Sequence, residues 1–105
     1  MAQFDVLRNL GARRGEIPFV VVVQSRRLDT YTRRLVVPLV RRDLLRSIDP
    51  TLNPCFDVAG VAVVLHPLEM VSVPATQLGE QVGHLRDAGD AIITAIDMVI
   101  SRAWG

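Results

Sequence analysis

The most conspicuous absence from this 105-residue sequence is lysine, because all twelve basic residues are arginines. Cysteine occurs once and histidine twice, so the chain cannot form an internal disulfide and has no cysteine–histidine spacing typical of a zinc site. A lone cysteine is typical of a reducing compartment, and we expect Cys55 to be a small core residue of a cytoplasmic protein. We expect neither a metal nor an organic cofactor.

Long hydrophobic segments are also missing. Half of the residues are apolar, yet the longest apolar stretches, Phe19–Val23 and Leu35–Val40, are too short to span a bilayer. The first residues do not show the pattern of a signal peptide, so we expect none. A chain of this length has room for one core, and we therefore expect a single domain over residues 1–105 with no membrane contact.

The sequence lacks the motifs of common catalytic sites. It has neither a Gly-rich phosphate loop ending in Lys-Ser/Thr nor a Gly-x-Ser-x-Gly nucleophile elbow. We expect His66 and His84 to be surface or capping residues, and Asp90 and Asp97 to lie on a solvent-facing side of a helix. These absences predict no catalytic residues, no metal ligands and a protein that is not an enzyme.

The net charge of +1 conceals an uneven distribution. Residues 1–50 contain ten arginines and five acidic residues, a balance of +5, whereas the remainder contains two arginines and six acidic residues, a balance of −4. Such an asymmetry favours an acidic partner. The near-neutral total argues against direct, specific nucleic-acid binding by the chain alone.

The pattern of apolar residues predicts a strand-rich chain with one helix at its end. Alternating or β-branched segments predict strands at Gln3–Leu7, Phe19–Gln24, Leu35–Val40, Cys55–Val58, Val61–Leu65 and Leu68–Val73. Apolar residues then recur at three- and four-residue steps from Val82 to Val99, which predicts a helix with Asp87 as its N-cap. Short strands and a terminal helix predict an α+β fold, a twisted sheet or small barrel packed by the helix.

Several short blocks resemble a known family. They are Val23–Ser25 with Arg33–Leu39, then Met70–Pro74 with Leu78–Glu80, then an apolar helix running into Trp104-Gly105. Their order and spacing resemble the CcdB family of toxins from Phe19 to Ile100. The resemblance implies a mainly β, SH3-like small barrel of antiparallel strands with a C-terminal α-helix, acting as a homodimer. It also implies the toxin of a type II toxin–antitoxin system, which binds the catalytic subunit of DNA gyrase and traps the cleaved-DNA complex without chemistry of its own.

The resemblance also implies positions for the binding surfaces. The predicted gyrase contacts are Arg27, Leu28, Asp97, Ser101, Arg102, Ala103, Trp104 and Gly105, and the predicted dimer contacts are Met98, Val99 and Ile100. A CcdA-like cognate antitoxin with a disordered tail is the implied neutralising partner. We expect Arg13 and Arg14, in the exposed loop Asn9–Glu16, to receive that tail.

Two alternatives remain open at this point. Arg27 lies where the family has an aliphatic residue that contacts gyrase, and the last residues of the chain differ from those of the family. Both differences favour a domesticated homologue, which keeps the fold and antitoxin binding but does not poison gyrase. The other alternative is an endoribonuclease toxin of the related MazF type, which shares the barrel and the dimer. RNA cleavage would need a basic or acid–base group in a groove, and Arg33 or Arg34 is the starting point that the sequence offers.

Overall fold

A curled antiparallel sheet with a helix on one face forms the body of this protein. The computed structural model describes residues 1–101. Its strands and helix are β1 (Asp5–Asn9), β2 (Phe19–Val22), β3 (Arg33–Arg41), β4 (Cys55–Val58), β5 (Val61–Leu65), β6 (Val71–Pro74), β7 (Leu78–His84) and α1 (Gly89–Ile100). Within the same residues, no helix has the length and hydropathy that a membrane span requires.

The strands follow the order β4-β5-β3-β2-β1-β7, and β6 pairs separately with β3. The first half of β3 pairs with β6 up to Val36, and its last three residues, from Leu39, pair with β5. Pro38 lies between the two pairings, where the missing N–H of proline is easily accommodated. The sheet thus curls into a half-barrel, and the predicted α+β fold, an SH3-like small barrel with a C-terminal helix, is confirmed.

Strand β2 is buried on both faces because it separates two apolar clusters. Phe19 and Val21 belong to the larger cluster, which includes Ile92 of α1. Val20 and Val22 alternate to the opposite face and join the smaller cluster. The smaller cluster forms the side of the sheet that the helix does not cover, and this is the side on which the candidate site lies.

The hairpin and the helix show where local sequence patterns succeed and fail. Strands β4 and β5 have the predicted bounds, and Ala59 and Gly60 between them have φ values of 49° and 80°, as a type I′ turn requires. The helix begins at Gly89, later than predicted, and its N-cap is Ala88.

The prediction that Cys55 is a core residue is wrong, because this residue is exposed. It lies on β4, the last strand of the sheet path, and the alternation of side chains along that strand directs Cys55 outward.

Candidate functional site

The loop between β1 and β2 borders a groove of about 320 Å³ on the face opposite α1. Hydrogen bonds hold the loop in place. The amide Nδ2 of Asn9 donates to the carbonyl of Ile17 at 2.8 Å, and the backbone N–H of Ile17 donates to the carbonyl of Arg13 at 2.8 Å. The floor of the groove is apolar, and its lining includes Ile17, Val20, Val36, Val71 and Val73. A fixed loop beside an apolar floor makes a preformed binding groove.

Two charged side chains, Arg13 and Glu69, line this groove, and each of them contacts one further side chain. The guanidinium of Arg13 donates to Oε2 of Glu16 at 3.1 Å and, on its other side, to Oε1 of Glu69 at 3.2 Å. The second carboxylate oxygen of Glu69 lies 4.0 Å from Nδ1 of His66. We refer to His66, Glu69, Arg13 and Glu16 as the charged row. It brings residues from the β1–β2 loop together with residues from the 3-10 turn Pro67–Glu69 and its N-cap.

The charged row places one guanidinium between two carboxylates, next to an imidazole. Hydrogen bonds to Glu69 and then Glu16, together with their negative charges, raise the pKa of Arg13 above its usual value, so the guanidinium stays charged. His66 is partly exposed, but its Nδ1 atom is buried and makes no hydrogen bond within residues 1–101. A cation, a carboxylate and an imidazole therefore lie side by side, and each is a type of group that can act in general acid–base catalysis or stabilise developing charge.

The described residues predicted to contact gyrase lie on two different elements or directly after them. Arg27 and Leu28 lie exposed on the 3-10 turn Arg26–Leu28 after β2, whereas Asp97 is exposed on α1 and Ser101 follows that helix. The predicted residues Arg102, Ala103, Trp104 and Gly105 lie outside the described residues.

The remaining predicted positions are on the surface or close to it. Arg13 belongs to the charged row, and the neighbouring Arg14 donates to the carbonyl of Gly11 at 3.2 Å. On α1, Met98 and Ile100 are exposed and Val99 is half-buried. Within residues 1–101, no group of three or more histidine, cysteine or acidic side chains is placed to hold a metal ion.

Sequence reasoning missed three members of the charged row. Glu16, His66 and Glu69 were assigned no function, although Arg13 with Glu16 and His66 with Glu69 each have a local i,i+3 spacing that could have indicated a pair. The contact that joins the two pairs spans 56 positions of the chain and depends on the fold. The arginines proposed for RNA cleavage lie elsewhere, since Arg33 contacts Ser72 and Arg34 binds carbonyls of its own turn.

Solved structures with the same fold belong to toxins and endoribonucleases. An endoribonuclease in complex with its cognate antitoxin from Mycobacterial species has a TM-score of 0.74 at 16% identity, with 100% of this chain and 99% of that chain covered. The Mycobacterium tuberculosis toxin MazF-mt6 has a TM-score of 0.68 at 19% identity, covering 82% and 88%. An endoribonuclease from Mycobacterial species has a TM-score of 0.70 at 13% identity, covering 98% and 94%. At these identities the likeness shows the fold.

These matches correct two sequence-based predictions. The predictions of a gyrase poison and of a protein without enzymatic activity are wrong, because two of the solved structures that share this fold across most of the chain are endoribonucleases and a third is a MazF toxin. No motif in the sequence indicates this reaction class, and the contact that joins the charged row forms only on folding.

The assignment to a family rests on a separate comparison. The family model described as CcdB protein matches residues 3–101, nearly the whole sequence. This range includes every strand and the helix of the half-barrel. By this match, the chain belongs to the CcdB family.

Proposed function

We propose that this protein is an endoribonuclease toxin of a toxin–antitoxin system, and that the charged row is its active site. The observation that carries the proposal is the contact between Arg13 and Glu69, which places a fixed cation against a carboxylate at the edge of a preformed groove. The endoribonucleases and the MazF toxin that share the fold support the reaction class.

Each member of the charged row has a role in RNA cleavage by internal transesterification. Glu69 takes the proton from a ribose 2′-hydroxyl, whose oxygen forms a bond to the adjacent phosphorus. Arg13 stabilises the negative charge that develops on the phosphoryl oxygens, and Glu16 holds the guanidinium in place. The bond from phosphorus to the 5′-oxygen breaks, and protonated His66 supplies that oxygen with a proton. The products are a 2′,3′-cyclic phosphate and a 5′-hydroxyl.

The test is cleavage of a labelled single-stranded RNA by purified protein, with the product ends identified by mass spectrometry. The variant Glu69→Gln removes the base but keeps the size of the side chain, and we expect the rate to fall by at least about 100-fold. Arg13→Gln leaves the developing charge without its cation, and we expect a loss of about 100- to 1,000-fold.

The matched control is Glu80→Gln. Glu80 is also an exposed glutamate in an ion pair with an arginine, Arg8, at 2.7 Å, but it does not belong to the groove lining or the charged row. This control should cleave RNA at the rate of the unaltered protein. Absence of RNA cleavage by the unaltered protein would refute the proposed function, and full activity of Glu69→Gln would refute this active site.

A cognate antitoxin is the partner that we propose, and the antitoxin-bound endoribonuclease with this fold supports it. The predicted antitoxin-binding residues Arg13 and Arg14 lie in the loop beside the groove, so an acidic tail bound there would cover the charged row. The double variant Arg13→Ala/Arg14→Ala should bind the antitoxin encoded in the neighbouring reading frame more weakly than the unaltered protein. Unchanged affinity would place the tail elsewhere.

We further propose that the protein acts as a homodimer in the cytoplasm. The helix α1 exposes Ile93, Met98 and Ile100 on the two flanks of its solvent-facing side, and burial of such apolar side chains against a second copy is favourable. This surface contains two of the three residues predicted to form the dimer interface. The cytoplasmic location follows from the cellular RNA that the proposed activity requires.

A further inference from the structure

The turn between β2 and β3 is held rigidly although it lies on the surface. The side chain of Gln24 donates to the carbonyls of Leu28 and Arg33 at 3.2 Å and accepts from the N–H of Leu35 at 2.9 Å. Arg34 donates to the carbonyls of Asp29, Tyr31 and Arg33. Two side chains thus fix both sides of the turn, and the position of the turn is set before any ligand arrives.

This rigid turn presents an aromatic side chain to solvent. Tyr31 is 64% exposed, while its backbone is anchored by a 3.1 Å hydrogen bond to the carbonyl of Leu28 and by the contact with Arg34. Tyr31 borders a cleft of about 420 Å³, which is also lined by Gln24, Leu28, Thr32, Arg33 and Ser72. An exposed aromatic ring on a fixed backbone is a platform on which a nucleic-acid base can stack.

A cation lies in the same cleft. The guanidinium of Arg33 is oriented by Ser72, because its Nε donates to the hydroxyl at 3.0 Å and its Nη2 to the carbonyl at 2.7 Å. Its Nη1 has no acceptor within residues 1–101 and remains available to a phosphate oxygen. Arg26 and Arg27 are exposed on the preceding 3-10 turn, and no described carboxylate is within ion-pair distance of either.

We propose that this cleft is a subsite for single-stranded RNA, in which a base stacks on Tyr31 and the adjoining phosphate pairs with Arg33. The proposal rests on the endoribonuclease function and extends it to a nucleotide farther along the RNA from the cleaved bond. Residues 24–34 contain four arginines and one aspartate, so the surface around the ring attracts a polyanion. A ring between cations favours RNA over an acidic polypeptide, which has no bases to stack.

The position of strand β6 connects the subsite to the charged groove. Ser72 lines the cleft, whereas its neighbours Val71 and Val73 line the groove, because successive side chains of a strand point to opposite faces. The two sites therefore lie on the two sides of one four-residue strand. Among the described strands β6 pairs only with β3, so an RNA chain that passes around its other edge can reach both faces, with its scissile phosphate at Arg13 and a nucleotide farther along the chain at Tyr31.

The test measures binding of a fluorescein-labelled 2′-O-methyl oligoribonucleotide by anisotropy, since this RNA lacks the 2′-hydroxyl and cannot be cleaved. Tyr31→Ala should weaken binding about 5- to 100-fold, and Tyr31→Phe, which keeps the ring, should bind within about twofold of the unaltered protein. Arg33→Gln should weaken binding and reduce the slope of log affinity against log salt by about 0.7. Arg46→Gln, which removes an exposed arginine outside the cleft, is the matched control and should leave that slope unchanged.

The outcomes separate this proposal from the proposed function. Equal RNA affinity of Tyr31→Ala and the unaltered protein, or no binding by the unaltered protein, would overturn the subsite, even if Glu69→Gln abolishes cleavage. RNA binding that depends on Tyr31 without cleavage by the unaltered protein would support the subsite and refute the nuclease. A polyglutamate peptide that binds the cleft independently of the Tyr31 ring, with RNA unable to displace it, would identify an acidic polypeptide site instead.

Discussion

At the scale of single residues, the contact between Phe4 and Gly89 makes a sharp prediction for stability. A Cβ atom at Gly89 would lie 2.7 Å from Cε2 of Phe4. Hydrogen bonds from the N–H of Phe4 to Val22 and from the N–H of Leu85 to Phe4 hold the aromatic residue in place. We expect Gly89→Ala to lower the free energy of unfolding by about 1–3 kcal/mol, although alanine favours a helix by about 1 kcal/mol.

Urea unfolding measures this change, and Gly15→Ala is its control. A Cβ atom at Gly15 would meet no atom within 4 Å, so this variant should stay within about 0.5 kcal/mol of the unaltered protein. An increase in stability for Gly89→Ala would mean that Phe4 moves aside without cost.

The residues of the charged row could not be predicted from residue types alone. His66 and Glu69 do not differ in the sequence from ordinary surface residues, because Arg13 reaches them from a loop that is distant in the chain.

At the scale of elements, the β4–β5 hairpin contains a residue that is poorly suited to its turn. Ala59 adopts a φ of 49°, in a left-handed region that costs a residue with a Cβ about 1–2 kcal/mol. Asparagine tolerates this conformation, and we expect Ala59→Asn to raise the free energy of unfolding by about 0.5–1 kcal/mol. The same substitution at Ala62, an exposed position on β5, should give no gain because asparagine is unfavourable in strands. A fall in the unfolding midpoint of Ala59→Asn would contradict the prediction.

Local periodicity located this hairpin but misplaced the start of α1. Val82, Leu85 and Ala88 recur every three residues, and all three pack against the larger apolar cluster. They belong to different elements, however: Val82 lies on β7, Leu85 is the N-cap of a 3-10 turn, and Ala88 ends that turn. A strand followed by a turn can thus present the same spacing to a core as a helix does, and only the sheet pairing of β7 with β1 distinguishes the two.

At the scale of the whole molecule, the fold partly neutralises the charge asymmetry of the sequence. Arg8 pairs with Glu80 at 2.7 Å and Arg13 pairs with Glu69 at 3.2 Å, so arginines of the basic first half meet acids of the second half. The sequence predicted the asymmetry but not this cancellation, because both pairs form between segments far apart in the chain. Among the described residues, Arg26 and Arg27 stay outside these pairs, which concentrates positive charge around the cleft at Tyr31.

The last prediction concerns the proposed homodimer and the helix α1. Met98 is 45% exposed, and burial of this side chain against a second copy would be opposed if it carried a charge. We expect the unaltered protein to sediment as a dimer at micromolar concentration and Met98→Asp to shift it to a monomer. Leu44→Asp places the same charge on another exposed apolar side chain, away from α1, and should remain dimeric. A dimer that survives Met98→Asp would move the interface to another surface, and a monomeric unaltered protein would refute the homodimer.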